Sequence, residues 1–263
     1  MNSAPQAAAK TAVPGARPDG AAGEKEASAR VREMFGGIAP RYDFLNHVLS
    51  LSLDRLWRRR VVKRFRDVLD RPDARVLDLC CGTGDLTLAL SRRSRATIYG
   101  SDFAHPMLIR AGQKSDSIEN RKGSRTTPAR YIEADALSLP FRDASFDLVT
   151  IAFGFRNLAN YDRGLREMYR ILKPGGRIGI LEFAEPKSAL FGRLYRFYFS
   201  RILPKIGGVI SGSNFAYSYL PNSVQKFPEP EELAGRVSAA GFINPTTELW
   251  TGGTVALHTA KKV

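Results

Sequence analysis

The segment that most constrains the fold is an apolar run that leads straight into a glycine-rich turn. Val76–Leu79 is mainly apolar, and Gly82–Gly84 follows after two cysteines. Glycine lets a backbone approach a ligand closely, and a helix that begins after such a turn offers free N–H groups to an anion. A dinucleotide fingerprint would need a further glycine at position 87, where Thr87 stands. The pattern therefore predicts a strand, a ligand-binding turn and a helix, and it argues against a nicotinamide dinucleotide.

Further apolar segments of strand length follow, with helical patterns between them. They are Thr97–Ser101, Ala129–Glu133, Phe146–Ala152, Arg177–Phe183 and Val255–Ala260. Apolar residues recur at helical spacing in the intervening segments, for example in Tyr161–Leu172. Alternating strands and helices are typical of a parallel sheet that is covered on both faces. We therefore predict an α/β fold with a doubly wound, mostly parallel sheet.

Acidic residues follow the second and third predicted strands. Asp102 comes directly after Thr97–Ser101, and Asp135 comes just after Ala129–Glu133. The carboxyl ends of neighbouring parallel strands meet at one edge of the sheet, where such sheets bind ligands. A single acid there is more often a helix cap. Acids after successive strands, beside a glycine turn, instead indicate a nucleoside site, with Asp102 accepting from ribose hydroxyls and Asp135 from an adenine amino group.

Together these motifs resemble the class I S-adenosylmethionine-dependent methyltransferases over roughly residues 70–185. The glycine turn, the two acids, the strand that begins at Phe146 and the segment Leu172–Gly176 carry the resemblance. It implies a Rossmann-like, seven-stranded sheet and S-adenosyl-L-methionine as cofactor. It also implies the methionine part over the glycine turn, the ribose on Asp102 and the adenine near Asp135. The implied cofactor-binding residues are Gly82, Thr83, Gly84, Asp102, Asp135 and Ala136.

Longer motifs narrow the resemblance to one family. Tyr42–Asn46, Phe153–Asn157, Arg170–Glu182 and Tyr217–Ser223 are similar to segments of the menaquinone and ubiquinone biosynthesis C-methyltransferases. This similarity extends from about Val31 to the C-terminus. It implies methyl transfer to a ring carbon of a prenylated quinol. Demethylmenaquinol is the preferred acceptor, and a benzoquinol precursor of ubiquinone is the alternative.

The catalytic candidates follow from the chemistry of methylating carbon. A ring carbon is a poor nucleophile unless the neighbouring hydroxyl loses its proton, so the protein must stabilise or generate a phenolate. Arg156 is the first candidate, because it follows the fourth strand and a guanidinium can stabilise a phenolate or hold the water that takes the proton. Tyr42 is the second candidate, and His47, Tyr217 and Tyr219 are weaker alternatives.

The charge balance indicates an anionic partner. Lys and Arg number 40 against 26 Asp and Glu, which gives a formal charge of +14. Such a field favours nucleic acid or the anionic face of a membrane. A prenyl tail is costly to carry through water, so the resemblance favours the membrane and predicts a cytoplasmic protein peripheral to the inner face of the cell membrane. Residues 190–203 interleave aromatics with arginines, which fits either an interfacial helix or a lid over the site.

Two other functions compete with this interpretation. An RNA methyltransferase would suit the basic charge, but the chain has neither an Asn/Asp-Pro-Pro-Tyr motif nor a cysteine after the fourth strand, so no nucleic-acid partner is expected. A non-enzymatic scaffold for quinone-pathway enzymes would not need the intact glycine turn. No metal is expected, because Cys80 and Cys81 are adjacent and match no metal-ligand spacing. The sequence leaves a homo-oligomer open.

Composition completes the predicted domain organisation. Residues 1–30 are rich in Ala, Pro and Gly, and no aromatic residue precedes Phe35. Such a segment buries too little apolar area to offset its chain entropy, which predicts a disordered tail. A mitochondrial transit peptide is the alternative, and the acids of the segment argue against it. The rest is predicted to be one methyltransferase domain, with N-terminal helices at 31–70, a cofactor-binding core at 71–185, a lid or membrane-facing insertion at 186–228, and a C-terminal helix and strands at 229–263.

Overall fold

A central sheet of seven strands organises the part of the chain that the structure describes. The structure is a computed structural model, and it describes residues 15–18, 21–50, 52–92, 94–119, 128–186, 188, 192–193 and 214–263. The strands are β1 (Arg75–Leu79), β2 (Thr97–Asp102), β3 (Arg130–Glu133), β4 (Phe146–Ala152), β5 (Leu172–Phe183), β6 (Ile243–Trp250) and β7 (Val255–Lys261). Their order across the sheet is β3-β2-β1-β4-β5-β7-β6.

Strand direction confirms the predicted doubly wound, mostly parallel sheet. Neighbours from β3 across to β5 pair in parallel, whereas β7 is antiparallel to both β5 and β6. The order along the chain reverses between β1 and β4. In sheets of this type, ligands bind outside the carboxyl ends of the strands at that reversal.

Helices cover both faces of the sheet. They are α1 (Glu24–Ile38), α2 (Tyr42–Leu49), α3 (Leu53–Arg64), α4 (Arg66–Leu69), α5 (Asp85–Ser91), α6 (His105–Glu119), α7 (Tyr161–Ile171), α8 (Asn214–Lys226) and α9 (Pro230–Ala239). Local sequence explains some of their ends. Asn160, for instance, caps α7 by accepting a hydrogen bond from the backbone N–H of Arg163 at 3.0 Å.

The core consists of two main apolar clusters, because alternate residues of a strand point to opposite faces. Leu77 belongs to the cluster that includes Met168 of α7, whereas its neighbour Val76 belongs to the cluster that includes Trp57 and Phe65. The second cluster brings the N-terminal helices onto the sheet. Helices α1 to α4 occupy most of residues 31–70, the segment for which the sequence predicts N-terminal helices.

Contact at Gly179 shows how tightly this N-terminal layer is fitted to β5. A Cβ atom at Gly179 would lie 2.6 Å from the ring of Phe65, closer than side chains pack. The glycine therefore allows the aromatic ring to lie directly against the strand.

The predicted disordered tail at residues 1–30 is wrong for the residues that the structure describes there. Helix α1 begins at Glu24, and Ala27 is fully buried. Earlier still, the backbone N–H of Ala16 donates to the carbonyl of Leu158 at 2.7 Å. The prediction failed because it relied on the lack of aromatic residues. Alanine is small, and a segment without large apolar side chains can still be buried through its alanines against a neighbouring surface. Residues 1–14 lie outside the described residues.

The predicted insertion at 186–228 is described only in part. Helix α8 occupies its last third, but nearly all of the aromatic and arginine-rich run at 190–203 lies outside the described residues. Its predicted role as lid or interfacial helix stays a prediction. Among the described residues, no helix has both the length and the apolar character required to cross a bilayer.

Candidate active site

A pocket opens where the strand order reverses, and its empty space amounts to about 620 Å³ when the open solvent at its mouth is included. The ends of β1, β2 and β4 supply its floor, and α1 and α2 supply one wall. Its lining includes Val31, Phe35, Tyr42, Cys80, Gly82, Asp102, Phe103, Met107, Asp135, Ala136, Phe153 and Asn157. The pocket thus combines a mainly apolar surface with a few polar groups, which is the usual composition of a cofactor site.

The glycine turn between β1 and α5 depends on backbone conformations that only glycine adopts easily. Gly82 and Gly84 have φ angles of 55° and 83°. Space is a second constraint, because a Cβ at Gly84 would lie 2.9 Å from the hydroxyl of Tyr131 and 3.0 Å from the Cβ of Ala111. Any larger residue would push α5 away from the neighbouring elements.

Asp102, at the end of β2, is fixed next to this turn. Its carboxylate accepts hydrogen bonds from the backbone N–H groups of Gly82 and Ala104, each at 2.9 Å. Burial raises the pKa of Asp102, and these N–H groups act in the opposite direction. A carboxylate can accept about four hydrogen bonds, so two leave acceptor capacity for a ligand in the pocket. This arrangement suits the two hydroxyls of a ribose.

Asp135 begins a short loop that forms another side of the pocket. Its Oδ1 accepts from the backbone N–H of Leu137 at 2.9 Å, which fixes the loop. Ala136 and Leu137 line the pocket together with Phe103 and Asp135. Apolar surfaces beside a carboxylate would suit an adenine ring, with the carboxylate as an acceptor for its amino group.

Tyr42 covers the turn from the opposite side. Its ring lies 3.6 Å from the position that a Cβ of Gly82 would occupy, and it lines the pocket. Burial raises the pKa of Tyr42, so its hydroxyl stays protonated at neutral pH. It can donate a hydrogen bond but is a poor base.

A charged cluster that the sequence did not reveal ties α2, the turn, α5 and α6 together. Lys114 of α6 lies 2.6 Å from Asp43 of α2 and 2.8 Å from Asp85 of α5. It also donates to the hydroxyl of Thr83 at 2.9 Å, and that hydroxyl in turn donates to Asp43. We call these four residues, Asp43, Thr83, Asp85 and Lys114, the Lys114 cluster. No local sequence pattern predicts this cluster, because its members come from distant parts of the chain.

The described residues also contain a group with metal-type donor atoms beside this cluster. His47, Asp54 and Asp85 place one ligand atom each within 4.8 Å of one another. Arg58 lies 2.6 Å from Asp54 and 3.4 Å from Asp85, so a guanidinium already supplies positive charge there. His47 is not among the residues that line the pocket, and its ring contacts Asp54 at 2.8 Å, so its contact is a structural one.

Arg156 lies behind the pocket wall. It is 6% exposed, and its guanidinium lies 2.8 Å from the carboxylate of fully buried Glu182. The Arg156 guanidinium also donates to the backbone carbonyl of Phe153, a residue that lines the pocket. The guanidinium is thus committed to protein groups, and direct contact with a substrate stays a prediction.

Asn157 is a pocket residue that the sequence reasoning did not single out. It lines the pocket and donates from its amide to the carbonyl of Phe153 at 3.3 Å. Its amide oxygen accepts from the hydroxyl of Tyr219 at 3.1 Å, which connects α8 to the pocket. Its position directly after Arg156 was the available signal. Burial raises the pKa of Tyr219 to about 12, so this weaker candidate is also protonated, and the side chain of Tyr217 lies outside the description.

The sheet order, the glycine turn and the buried acid at the end of β2 together define a Rossmann-like class I methyltransferase. A solved SAM-dependent methyltransferase from Aquifex aeolicus has the same fold, with a TM-score of 0.56 at 17% identity over 78% of this chain and 89% of that one. The chain belongs to the ubiE/COQ5 methyltransferase family, whose model matches residues 23–262. It is therefore an enzyme that uses S-adenosylmethionine as its cofactor.

Two curated relatives are similar over most of the chain. The demethylmenaquinone methyltransferase of Thermus thermophilus is 50% identical over 86% of this chain and 98% of its own length. The ubiquinone/menaquinone biosynthesis C-methyltransferase UbiE of Geotalea daltonii is 43% identical over 90% of this chain and 98% of its own length. Both findings confirm the family predicted from the sequence motifs.

Proposed function

We propose that the protein transfers a methyl group from S-adenosylmethionine to a ring carbon of a prenylated quinol, with demethylmenaquinol as its acceptor. The observation that carries this proposal is the pocket itself, in which Asp102, Asp135 and Gly82 of the glycine turn meet aromatic and aliphatic walls at one sheet edge. The 50% identity to a demethylmenaquinone methyltransferase supports the naphthoquinol over the benzoquinol. The relative named for both pathways keeps the benzoquinol as the second candidate.

The cofactor site would divide among three groups of residues. Gly82, Thr83 and Gly84 would take the methionine part, Asp102 the ribose, and Asp135 with Ala136 the adenine. Bound there, S-adenosylmethionine supplies an electrophilic methyl group. The rigid hydrogen bonds of Asp102 support this assignment, because a site whose donors and acceptors are already oriented loses little entropy on binding.

The acceptor ring would lie between Tyr42 and Asn157, which line the pocket near the turn. Both can hydrogen-bond a quinol oxygen and so orient the ring carbon, and orientation alone can lower a barrier by about 7–11 kcal/mol in favourable cases. Arg156 would act from behind this wall, where a fixed positive charge favours a phenolate. The pairing with Glu182 weakens that field, so we propose that Arg156 also holds the wall in place through Phe153.

The substrate determines where the protein works. A prenyl tail gains about 0.8 kcal/mol for each carbon that it buries, so the quinol stays in a bilayer. We therefore propose a cytoplasmic enzyme that acts at the inner face of the cell membrane.

Methyl transfer from labelled cofactor tests the proposal. Purified protein is incubated in detergent with methyl-labelled S-adenosylmethionine and, separately, reduced demethylmenaquinol, the benzoquinol precursor and bulk RNA. We expect label on a ring carbon of the naphthoquinol, identified by mass spectrometry of the fragmented ring. Label in the benzoquinol alone would move the assignment to the second candidate, and label in RNA alone would overturn the proposal.

A further inference from the structure

We propose that the exposed face of α3, together with Phe44 of α2, is the surface by which the protein docks on a bilayer that contains anionic lipid. We call it the α3 face, and it comprises Phe44, Arg55, Leu56, Arg59 and Lys63. The inference rests on the proposed function for the reason why the protein would dock. The docking itself can be measured without any quinol.

The α3 face is one continuous side of a helix. Arg55, Arg59 and Lys63 are exposed and recur every four residues, and exposed Leu56 lies three residues before Arg59, so all of them lie on one side. Trp57 and Val61 are buried on the other side in the core. The helix is therefore anchored firmly, and its outer side is held in a fixed orientation.

The cations of this face form no ion pairs with the acids that the structure describes. Arg55, Arg59 and Lys63 have no acidic partner among the residues that the structure describes. Asp54, the acid of this helix, is buried and pairs with Arg58. The face therefore presents uncompensated positive charge, which attracts an anionic surface over about one Debye length.

Exposed apolar side chains lie among these charges. Leu56 is 41% exposed and Phe44 is 57% exposed. Phe44 lies one turn before His47, whose ring contacts Asp54 of α3 at 2.8 Å, so α2 and α3 pack against each other. Cations combined with exposed leucine and phenylalanine are typical of interfacial helices, whereas a nucleic-acid surface needs no aliphatic side chain.

The face adjoins the pocket. The ring of Trp57, on the inner side of α3, lies 5.7 Å from the ring of Phe153, which lines the pocket. Tyr42, two residues before Phe44, lines it too. A protein docked by this face would hold its pocket beside the lipid, so that a quinol head could enter while its tail remained in the bilayer.

Vesicle sedimentation tests the docking face. Full-length protein is mixed with one of two kinds of vesicle, either pure phosphatidylcholine or an equal mixture of phosphatidylcholine and phosphatidylglycerol. Each mixture is prepared at low and at high salt. We expect binding only with phosphatidylglycerol, weakened by salt, and at least about tenfold weaker in R55E/R59E. Replacing Phe44 and Leu56 by serine should weaken binding at both salt concentrations, because these side chains contribute by apolar burial, which salt does not screen.

A matched variant controls for net charge. R92E/R95E makes the same change at exposed arginines that follow α5 and precede β2, at the opposite edge of the sheet from the pocket. It should bind vesicles as the wild type does. Equal losses in the two double variants, or no loss in R55E/R59E, would overturn the assignment of this face.

Two further measurements separate docking from catalysis and from folding. R55E/R59E should retain wild-type affinity for S-adenosylhomocysteine by calorimetry and wild-type turnover of a short-tailed, water-soluble quinol. It should lose turnover of a long-tailed quinol presented in anionic vesicles. If no quinol is methylated yet vesicle binding still depends on Arg55 and Arg59, the docking face stands and the proposed reaction fails. If these arginines govern binding to RNA but not to vesicles, the membrane is wrong and nucleic acid is the partner.

Discussion

At the scale of single residues, Asp102 connects the fold to the proposed cofactor site. Its carboxylate fixes Gly82 and Ala104 and still has acceptor capacity toward the pocket. Replacement by alanine would remove the proposed ribose acceptor and the hydrogen bond that holds Gly82 of the turn. We expect D102A to bind S-adenosylhomocysteine at least about 100-fold more weakly, or about 2.7 kcal/mol, by calorimetry.

A matched control for this variant is available on α6. Asp116 is an exposed acid, and D116A should leave the cofactor affinity unchanged. Wild-type affinity in D102A would contradict the assignment of the ribose site.

Asp78 predicts a pH dependence of stability. It is 1% exposed between the hydroxyls of Thr87 and Thr150, which donate to it at 2.6 and 3.0 Å. Burial raises its pKa to about 7, far above the unfolded value of about 3.9. The folded state therefore holds a proton that the unfolded state releases. The resulting stability is complete below about pH 4 and is lost as pH rises through about 7, by up to about 1.4 kcal/mol per pH unit.

The comparison with D78N isolates this effect. Asparagine has the same shape and cannot ionise, so the free energy of unfolding of the wild type should fall relative to that of D78N between about pH 5 and pH 7.5. Urea unfolding of both proteins across this range measures the difference. Parallel curves would show that Asp78 does not titrate there.

At the scale of elements, the Lys114 cluster fastens α2 over the glycine turn. Removing the cation would leave the carboxylates of Asp43 and Asp85 facing each other across Thr83. Both carboxylates contact the same Nζ of Lys114, so they would repel each other once it is removed, with Arg58 still near Asp85 alone. We therefore expect α2 to move away from the turn. We expect K114M to bind S-adenosylhomocysteine roughly tenfold more weakly, about 1.4 kcal/mol, by calorimetry.

A second substitution distinguishes repulsion from a simple loss of contact. In D43N/K114M the repulsion is gone, and the amide oxygen that replaces the Asp43 carboxylate can still accept from Thr83. Most of the lost affinity should return, and an affinity as weak as that of K114M would contradict the electrostatic explanation.

The pair of Arg156 and Glu182 joins the end of β4 to β5. Because Glu182 is fully buried, R156A leaves an unpaired charge in the core. Breaking such a pair costs about 3–5 kcal/mol, whereas replacing both members costs less. We expect chemical denaturation to show that loss in R156A and a clearly smaller loss in R156M/E182Q. Cofactor affinity should stay nearly intact in both variants, because the pair lies behind the wall, while turnover falls.

At the scale of the whole molecule, the N-terminal segment closes a site that the sheet only begins. Ser28, Val31 and Phe35 of α1 line the pocket, and Arg17 donates to the carbonyl of Ala159 at 2.7 Å. Deleting residues 1–38 removes the α1 part of one pocket wall but none of the seven strands. We expect this variant to keep the circular dichroism of the sheet and to lose most of its affinity for S-adenosylhomocysteine.

Deleting residues 1–14 is the control for that truncation. It retains Arg17 and all of α1, so the affinity should match that of the full chain. Equal affinity in both truncated proteins would show that α1 does not contribute to the site.

The sequence by itself determined the class of fold and predicted where the cofactor binds. Strand-length apolar runs, the glycine turn, Asp102 and Asp135 are local signals, and the carboxyl ends of parallel strands necessarily meet at one edge. Long motifs such as Arg170–Glu182 then led to the family.

Only the tertiary structure decided which distant side chains meet. It packed α1 against α6, gathered Lys114 with Asp43 and Asp85, and paired Arg156 with Glu182 behind the pocket wall. Such partners are separated by many residues, and one chain offers dozens of charges that could pair. Burial decides among them, because a charge removed from water must find its counterpart within a few ångströms, and that distance exists only after the sheet and helices have packed.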